Sequence, residues 1–362
     1  MTREEAFVLA GIDQFTPPEK VALWECASGY GSPFSEDLRL CGLLSLSDAQ
    51  VAALIQAEKQ VPAAAAALEK LEKAGDRMLT FFDEDYPAVL RGIEDPPFAV
   101  FARGKLPEPE KPAAAIVGAR ACTEYGIAEA ERFGAALAAA GIAVISGMAF
   151  GVDAAAHRGA LQGYGYTLAI LGCGIDICYP KENYYLSCRI AETGGLLSEY
   201  PPATPPRAYH FPQRNRLISA FASCILVMEA RFHSGSLITA GHALAQNRDV
   251  FALPGRTTDP LSEGTNHLIE QGAGILLDPE SLIRRLLHGD LPADVRKQQK
   301  QAAVPLSSEE KKLLACFDRK PITVSDLCAV SGMTPGAVSV TLMMLQHKGR
   351  VKEAGAGYFR KA

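Results

Sequence analysis

Several stretches of this 362-residue chain join glycine to a cation or a hydroxyl at spacings suited to holding an anion. The first ends Ile116-Val117-Gly118-Ala119-Arg120. It reads as a short buried strand from Ala113, a glycine turn, and then an alanine-rich helix from about Thr123 to Ala140. A strand, a tight turn and a helix N-terminus present unpaired N–H groups and the positive end of the helix dipole to a ligand. Gly118 lets the backbone come close, and Arg120 adds a planar fork that matches phosphate. The same turn can also serve packing alone, and both readings stand at this point. The G-x-G-x-x-G spacing of a dinucleotide site is absent.

The second stretch is Ser146-Gly147-Met148-Ala149-Phe150-Gly151-Val152-Asp153, with His157 four residues on. Gly147 and Gly151 flank a turn that would make a second anion cradle. Asp153 and His157 read either as a metal or acid/base pair, or as a helix cap with a packed histidine; no third ligand sits at a workable spacing. The third stretch runs Gly172-Cys173-Gly174-Ile175-Asp176 to Tyr179-Pro180-Lys181. Lys181 falls where a helix should begin, and Tyr184 and Tyr185 offer faces on which a base could stack. The fourth, Tyr209-His210-Phe211-Pro212-Gln213-Arg214-Asn215-Arg216, places two arginines and Asn215 directly before an apolar helix. Basic and aromatic residues together suit a single strand, whose charge and bases are both available. The other reading of these arginines is an ion-pair network at the top of a sheet. Ser234-Gly235-Ser236 open another helix and offer a third N-terminal anion site. Glu229 just upstream reads as a catalytic carboxylate or as a partner that orients the arginines.

The composition is that of an ordinary globular protein, with 48% hydrophobic and 21% charged residues. No apolar run is long enough to span a bilayer. Met1-Thr2-Arg3-Glu4-Glu5 lacks a basic region followed by a cleavable apolar stretch, so a cytoplasmic location is expected. The nine cysteines are irregularly spaced without a C-x-x-C, which favours small buried hydrophobes over zinc ligands or disulfides. Net charge is −5, distributed as +4 from Val304 onward and −9 before it. A polyanion site in the middle of the chain must therefore be a local cluster.

Placing these stretches requires alternating strands and helices. Candidate strands are Ala114–Val117, Ile142–Ser146, Thr167–Leu171, Leu196–Ser198, Ile225–Glu229, Val250–Leu253 and Gly274–Leu277. The intervening helices are expected to begin near Thr123, Val152, Asn183, Leu217, Leu237 and Asn266. This alternation predicts an α/β fold with a mostly parallel sheet, whose ligands gather at the carboxyl ends of the strands. Residues 1–76 have helical spacing and a net negative charge, and form a helical domain. Residues 77–112 are a structured connector that leads into the sheet domain, which runs to 290. A polar linker follows over 291–304, and 305–362 read as three helices and a hairpin, a winged helix. Its third helix, Thr334–Lys348, has no Lys or Arg before Lys348, so protein contact competes with duplex binding as its role.

These motifs resemble the DNA-processing protein A family (DprA, also called Smf). The resemblance rests on Tyr86-Pro87 with Asp95-Pro96-Pro97, Gly118-Ala119-Arg120 with Tyr125-Gly126, and Ser146 through His157. It continues through Gly172–Asp176, Tyr179-Pro180-Lys181, Phe211–Ser219, Ser234–Ala240, Pro254-Gly255 and Gly264–Ile269, so that it covers about 190 residues. It implies an extended Rossmann-like domain, flanked by a SAM-like helical domain and a winged helix, that binds single-stranded DNA. It further implies protection of incoming strands in natural transformation, loading of the RecA recombinase, no enzymatic activity and no cofactor. By the same resemblance Arg120 and Lys181 hold phosphates, Gly147 and Gly151 admit the strand, and a homodimer forms through Gly264 to Leu277. The placement of Arg214 and Arg216 in one pocket is read from their spacing. The competing class is a nucleotide-binding or nucleotide-hydrolysing Rossmann-like protein. Such hydrolases carry a P-G-G-x-G-T-x-x-E loop, and the corresponding Ser234–Ala240 lacks the glutamate.

Overall fold

The computed structural model describes residues 1–40, 44–287, 307–317, 321–347, 350–355 and 357–361. The linker expected over 291–304, and Gly349, expected to close the third winged-helix helix, lie outside them. The chain divides into two compact units, Met1–Leu291 and Pro292–Ala362.

The first unit opens with five helices: α1 (Arg3–Ala10), α2 (Pro17–Ala27), α3 (Glu36–Leu40), α4 (Asp48–Glu58) and α5 (Val61–Lys73). Capping boxes start three of them, Thr2 with Glu5, Thr16 with Glu19 and Ser47 with Gln50. The antiparallel pair β1 (Asp76–Thr80) and β2 (Ala99–Gly104) follows, with the short α6 (Ala88–Arg91) between them. The cross-strand neighbours Asp76 and Arg103 form a two-pronged ion pair at 2.6 and 2.8 Å. Leu9, Leu23, Leu54 and Leu68 of the helices share one core with Met78, Phe98 and Phe101 of these strands and Leu196 beyond them. Phe7 meets the edge of Phe101 at 6.0 Å, and Trp24 meets Phe98 at 5.4 Å.

From residue 113 strands and helices alternate: β3 (Ala113–Val117), α7 (Glu124–Ala139), β4 (Ala143–Ser146), α8 (Val152–Gln162), β5 (Thr167–Leu171), α9 (Tyr184–Thr193) and β6 (Gly195–Ser198). Then come α10 (His210–Ala220), β7 (Cys224–Val227), α11 (Gly235–Ala245), β8 (Asp249–Ala252), α12 (Glu263–Glu270), β9 (Gly274–Ile275) and α13 (Pro279–Leu286). The sheet order is β1-β2-β6-β5-β4-β3-β7-β8-β9. The ladders from β6 through β9 are parallel, and β2 joins β6 antiparallel. All residues of β3, β4, β5 and β7 are buried, as a sheet covered on both faces requires. The chain steps outward from β3 to β6 and then returns beside β3 as β7. The carboxyl ends of β3 and β7 therefore face the crevice of a topological switch.

One boundary moves far from expectation. The helix expected near Leu217 starts at His210, because Pro212 falls in its first turn, where its missing N–H costs nothing.

The second unit holds α14 (Ser308–Ala315), β10 (Ile322–Thr323), α15 (Val324–Ser331), α16 (Pro335–His347), β11 (Val351–Glu353) and β12 (Tyr358–Lys361). The strands pair in the order β10-β12-β11, which gives a winged helix around Leu313, Phe317, Leu327, Val338, Leu342 and Leu345. Thr323 caps α15, accepting from Asp326 N–H. Among the described residues no single helix is long and apolar enough to cross a membrane.

Phe101 is fully buried where helices and sheet meet. Phe101→Ala is expected to lower the unfolding free energy by about 3–5 kcal/mol in urea titrations. A loss below about 1 kcal/mol would refute the shared core.

Candidate nucleic-acid interface

A cleft of about 310 Å³ opens at the switch between β3 and β7. Three N-terminal turns meet there. Gly118 and Arg120 come from the end of β3, Ala149 and Asp153 from the turn into α8, and Ser234, Gly235 and Ser236 from the start of α11. The fourth wall is one side of α10, with Phe211, Arg214 and Asn215.

Arg120 is exposed, and its guanidinium lies over the Phe211 ring at 5.1 Å. No carboxylate is within ion-pair distance of it among the described residues. Phe211 in turn seats on Gly172, where a Cβ would meet the ring at 2.8 Å. Tyr179 lies 5.6 Å from the same ring, at the cis Tyr179–Pro180 bond. Lys181 follows two residues later. It is exposed, lies outside the cleft lining and opens the 3-10 turn Lys181–Asn183. Asn183 fixes that turn by donating its Nδ2 to the Met148 carbonyl at 2.9 Å. Met148 is a non-glycine residue at φ 61°, so its turn needs such support.

The glycines of the site have different uses. Gly151 has φ +71°, and a Cβ there would strike the carbonyls of Ala119 and Arg120. It lets two loops touch. At Gly118 a Cβ would meet Val152 at 2.7 Å, so this glycine makes room for the first residue of α8. Gly147 leaves space for Arg214 Nη2 and Asp153 Oδ2, each within 3 Å of its missing Cβ. At Gly235 a Cβ would meet nothing within 4 Å, so the N-terminus of α11 is open to the cleft. Ser234 caps that helix, and Asn215 donates its Nδ2 to the Gly235 carbonyl at 3.2 Å.

The structure separates the two arginines that spacing had placed together. Positions two apart on a helix do not share a face, and both belong to α10 once it starts at His210. Arg214 turns inward, is 3% exposed, and donates Nη1 to the carbonyls of Gly147 and Ile170. Arg216 turns the other way. Glu199 takes it at 2.8 and 2.7 Å and Asp95 at 2.7 Å, so its fork is consumed in an ion-pair network outside the cleft.

Glu229 does not orient either arginine. Its carboxylate accepts from Thr123 N–H at 2.8 Å and Thr123 Oγ1–H at 2.5 Å, and its carbonyl accepts from Ala119 N–H. It ties the end of β7 to the start of α7. His157 is a core residue, with Nδ1 2.7 Å from Thr167 Oγ1. Burial pushes its pKa down to about 3, with help from the Arg214 and Arg158 charges. Asp153 is not the cap of α8, which is Gly151; it lies in the first turn of the helix and accepts from the upstream Ala149 N–H at 3.3 Å. Its position in the cleft wall, and that of Phe211 beneath Arg120, could not be read from spacing. An acid one turn before His157 and an aromatic three residues before Arg214 are the only local signals. The described cysteines are free thiols; Cys173 and Cys224 are buried as expected, and Cys188 is exposed.

A doubly wound, mostly parallel sheet with a basic cleft at its switch, in one chain with a winged helix, defines a Rossmann-like anion-binding protein with a winged-helix unit. The sequence pattern described as DNA recombination-mediator protein A matches residues 77–287, and that of the DprA winged helix domain matches 297–357. The chain belongs to the DNA recombination-mediator protein A family. Protein Smf of Escherichia coli K12 is 37% identical over 296 residues, 80% of this chain and 79% of that protein. A solved structure of DNA processing protein A from Streptococcus pneumoniae matches at TM-score 0.68 and 31% identity, covering 79% of this chain and 98% of that one. Another is of DNA processing protein A from Helicobacter pylori, which has a unique single-stranded DNA binding mode. It matches at TM-score 0.53 and 30% identity over 59% of this chain and 96% of that one.

Two outcomes follow from this geometry. Arg216→Ala strands Glu199 and Asp95 and should cost about 3 kcal/mol in urea unfolding; weaker strand binding at unchanged stability would instead return Arg216 to the cleft. His157 is neutral when folded and takes a proton near pH 6.5 when unfolded, so stability should fall as pH drops from 6.5 toward 3. The slope should reach about 1.4 kcal/mol per pH unit. His157→Gln should remove one proton from the measured slope, and an unchanged slope would contradict this assignment.

Proposed function

We propose that the cleft binds the backbone of single-stranded DNA, and that the protein protects strands entering the cytoplasm during natural transformation and passes them to a RecA recombinase. The observation that carries the reading is Arg120. Its unpaired guanidinium rests on Phe211 beside the open N-terminus of α11, where a phosphate oxygen would meet both charge and N–H donors. Lys181 adds a second exposed cation. Tyr184 and Tyr185, 57% and 82% exposed, stand one turn further on and would take the bases. The single-stranded DNA binding mode of the Helicobacter pylori relative and the likeness to the DNA processing protein of Streptococcus pneumoniae support the assignment.

The same reading has the protein act as a homodimer through the segment Gly264 to Leu277. Gly264, Thr265 and Leu268 serve the fold's own core, whereas Ile275 and Leu277 are 53% and 70% exposed at the edge strand β9. They are the groups that would meet a second copy. Membership of a recombination-mediator family supports delivery to the recombinase as part of this reading. Binding without catalysis accounts for the cleft. Among the described residues the cleft wall holds one carboxylate, Asp153, with no titrating partner placed for acid–base work there, and Glu229 is spent on Thr123.

Gel shifts with oligo-dT and with a duplex test this. Single-strand binding should weaken steeply with salt, by a slope of about 0.7 per phosphate neutralised. Arg120→Ala and Lys181→Ala should each weaken it and flatten that slope while leaving the urea midpoint unchanged. Full binding by both variants would remove the cleft from consideration.

A further inference from the structure

The cleft that offers an anion two arginines and a helix N-terminus also contains a carboxylate. Asp153 lines it with Arg120, Arg214 and the Ser234–Ser236 turn, and is 7% exposed. Its one hydrogen bond to the nearby backbone is from Ala149 N–H. No side-chain cation lies within ion-pair distance of it among the described residues. Arg214 faces it across Gly147 but spends Nη1 on two carbonyls. An ionised Asp153 therefore works against the charge that the cleft exists to hold, in surroundings too dry to screen it.

The groups facing Asp153 come from every element around it. Arg214 approaches from α10. Arg120 and Cys122 approach from the loop after β3, and Ser146 from the end of β4. His157 follows one turn along α8 and stays neutral. Burial pushes the Asp153 carboxyl above the usual range, against the opposing pull of Arg214, the Ala149 amide and Arg120. A second negative charge entering the cleft pushes in the same direction as burial.

We propose that Asp153 takes up a proton from solvent as an anionic strand enters, so that occupancy of the cleft is coupled to neutralisation of this one carboxylate. The inference rests on the reading of the cleft as a phosphate site. The protonated acid gains an O–H that can donate to a phosphate oxygen, so a repelling group becomes a ligand. Asp153 thus sets the pH range over which the site accepts DNA.

The sign is fixed. The free protein holds Asp153 ionised over more of the pH range than the complex does. Affinity therefore rises as pH falls through the window between the two pKa values. The dissociation constant should change by as much as about tenfold per pH unit at the steepest point, the limit for one proton. Oligo-dT is the probe, because thymine has no group that titrates in the acid or neutral range. Its affinity is measured by fluorescence anisotropy between about pH 5 and 8. Asp153→Asn keeps an acceptor for Ala149 N–H and removes the charge. It should bind more tightly than the natural protein at the alkaline end and show no slope. A flat profile in the natural protein, or an unchanged slope in D153N, overturns the coupling.

Calorimetry of the natural protein in two buffers of different ionisation heat needs no variant. It should read a proton taken up on binding, and zero uptake across the range overturns the proposal. Absence of oligo-dT binding at every pH defeats both the single-strand reading and this coupling. Binding that ignores pH defeats the coupling alone.

Discussion

The guanidinium of Arg214 is the constraint around which the cleft is built. A buried cation is tolerated only where its donors find acceptors, because desolvation costs several kcal/mol. Here the acceptors are the Gly147 carbonyl just past β4 and the Ile170 carbonyl within β5, so one side chain on α10 ties together two strand ends. The tie dictates its neighbours. Gly147 has to be glycine, since a Cβ would lie 2.6 Å from Nη2. Asp153 has to be near, because a wholly uncompensated charge would be costlier still. Burial holds Arg214 below the usual guanidinium range, and Asp153 is the first charge that opposes this.

From that pillar the exposed chemistry is assembled outward. Phe211 is carried by the same helix, with its ring 6.0 Å from Arg214 on one side and 5.1 Å from Arg120 on the other. Arg120 is then held by a ring instead of by an acid. This matters for function, because an arginine locked in an ion pair must first give up that pair to bind phosphate. Arg216 shows the contrast two residues away, with both edges of its fork already occupied. The helix interior thus divides three consecutive residues between support, contact with α11 and the opposite ion-pair network.

The sheet and the glycine turns at its strand ends were legible because the signals that specify them are local. A glycine before a helix start and an apolar run before the glycine specify a strand, turn and helix without tertiary information. The arginines were not legible for a definable reason. Spacing read them as lying ahead of a helix near Leu217; with the helix starting at His210 and Pro212 in its first turn, helical phase throws Arg214 and Arg216 apart. Gly118 and Gly147 read as close-approach glycines, and the space their missing Cβ atoms leave is taken by Val152, Arg214 and Asp153. Residues 1–76 read as a helical domain, and their helices are present. Their leucines pack into the layer that covers β1 and β2, a contact between segments no local pattern encodes.

Charge is distributed to match a site that works at short range. The protein carries net −5, so it has no long-range field to draw a polyanion from solution. At physiological salt, exposed charges beyond about 8 Å are largely screened. What acts on a strand is then the handful of groups in the cleft, and the balance there is close. Arg120 is available, Arg214 is half-committed, and Asp153 opposes both. The third helix of the winged-helix unit adds no cationic lever, since α16 carries no Lys, Arg, Asp or Glu from Pro335 to His347 and exposes Val340, Met343 and Met344. A single carboxylate can therefore weigh heavily in this protein, where in a strongly basic DNA-binding surface it would be lost among its neighbours.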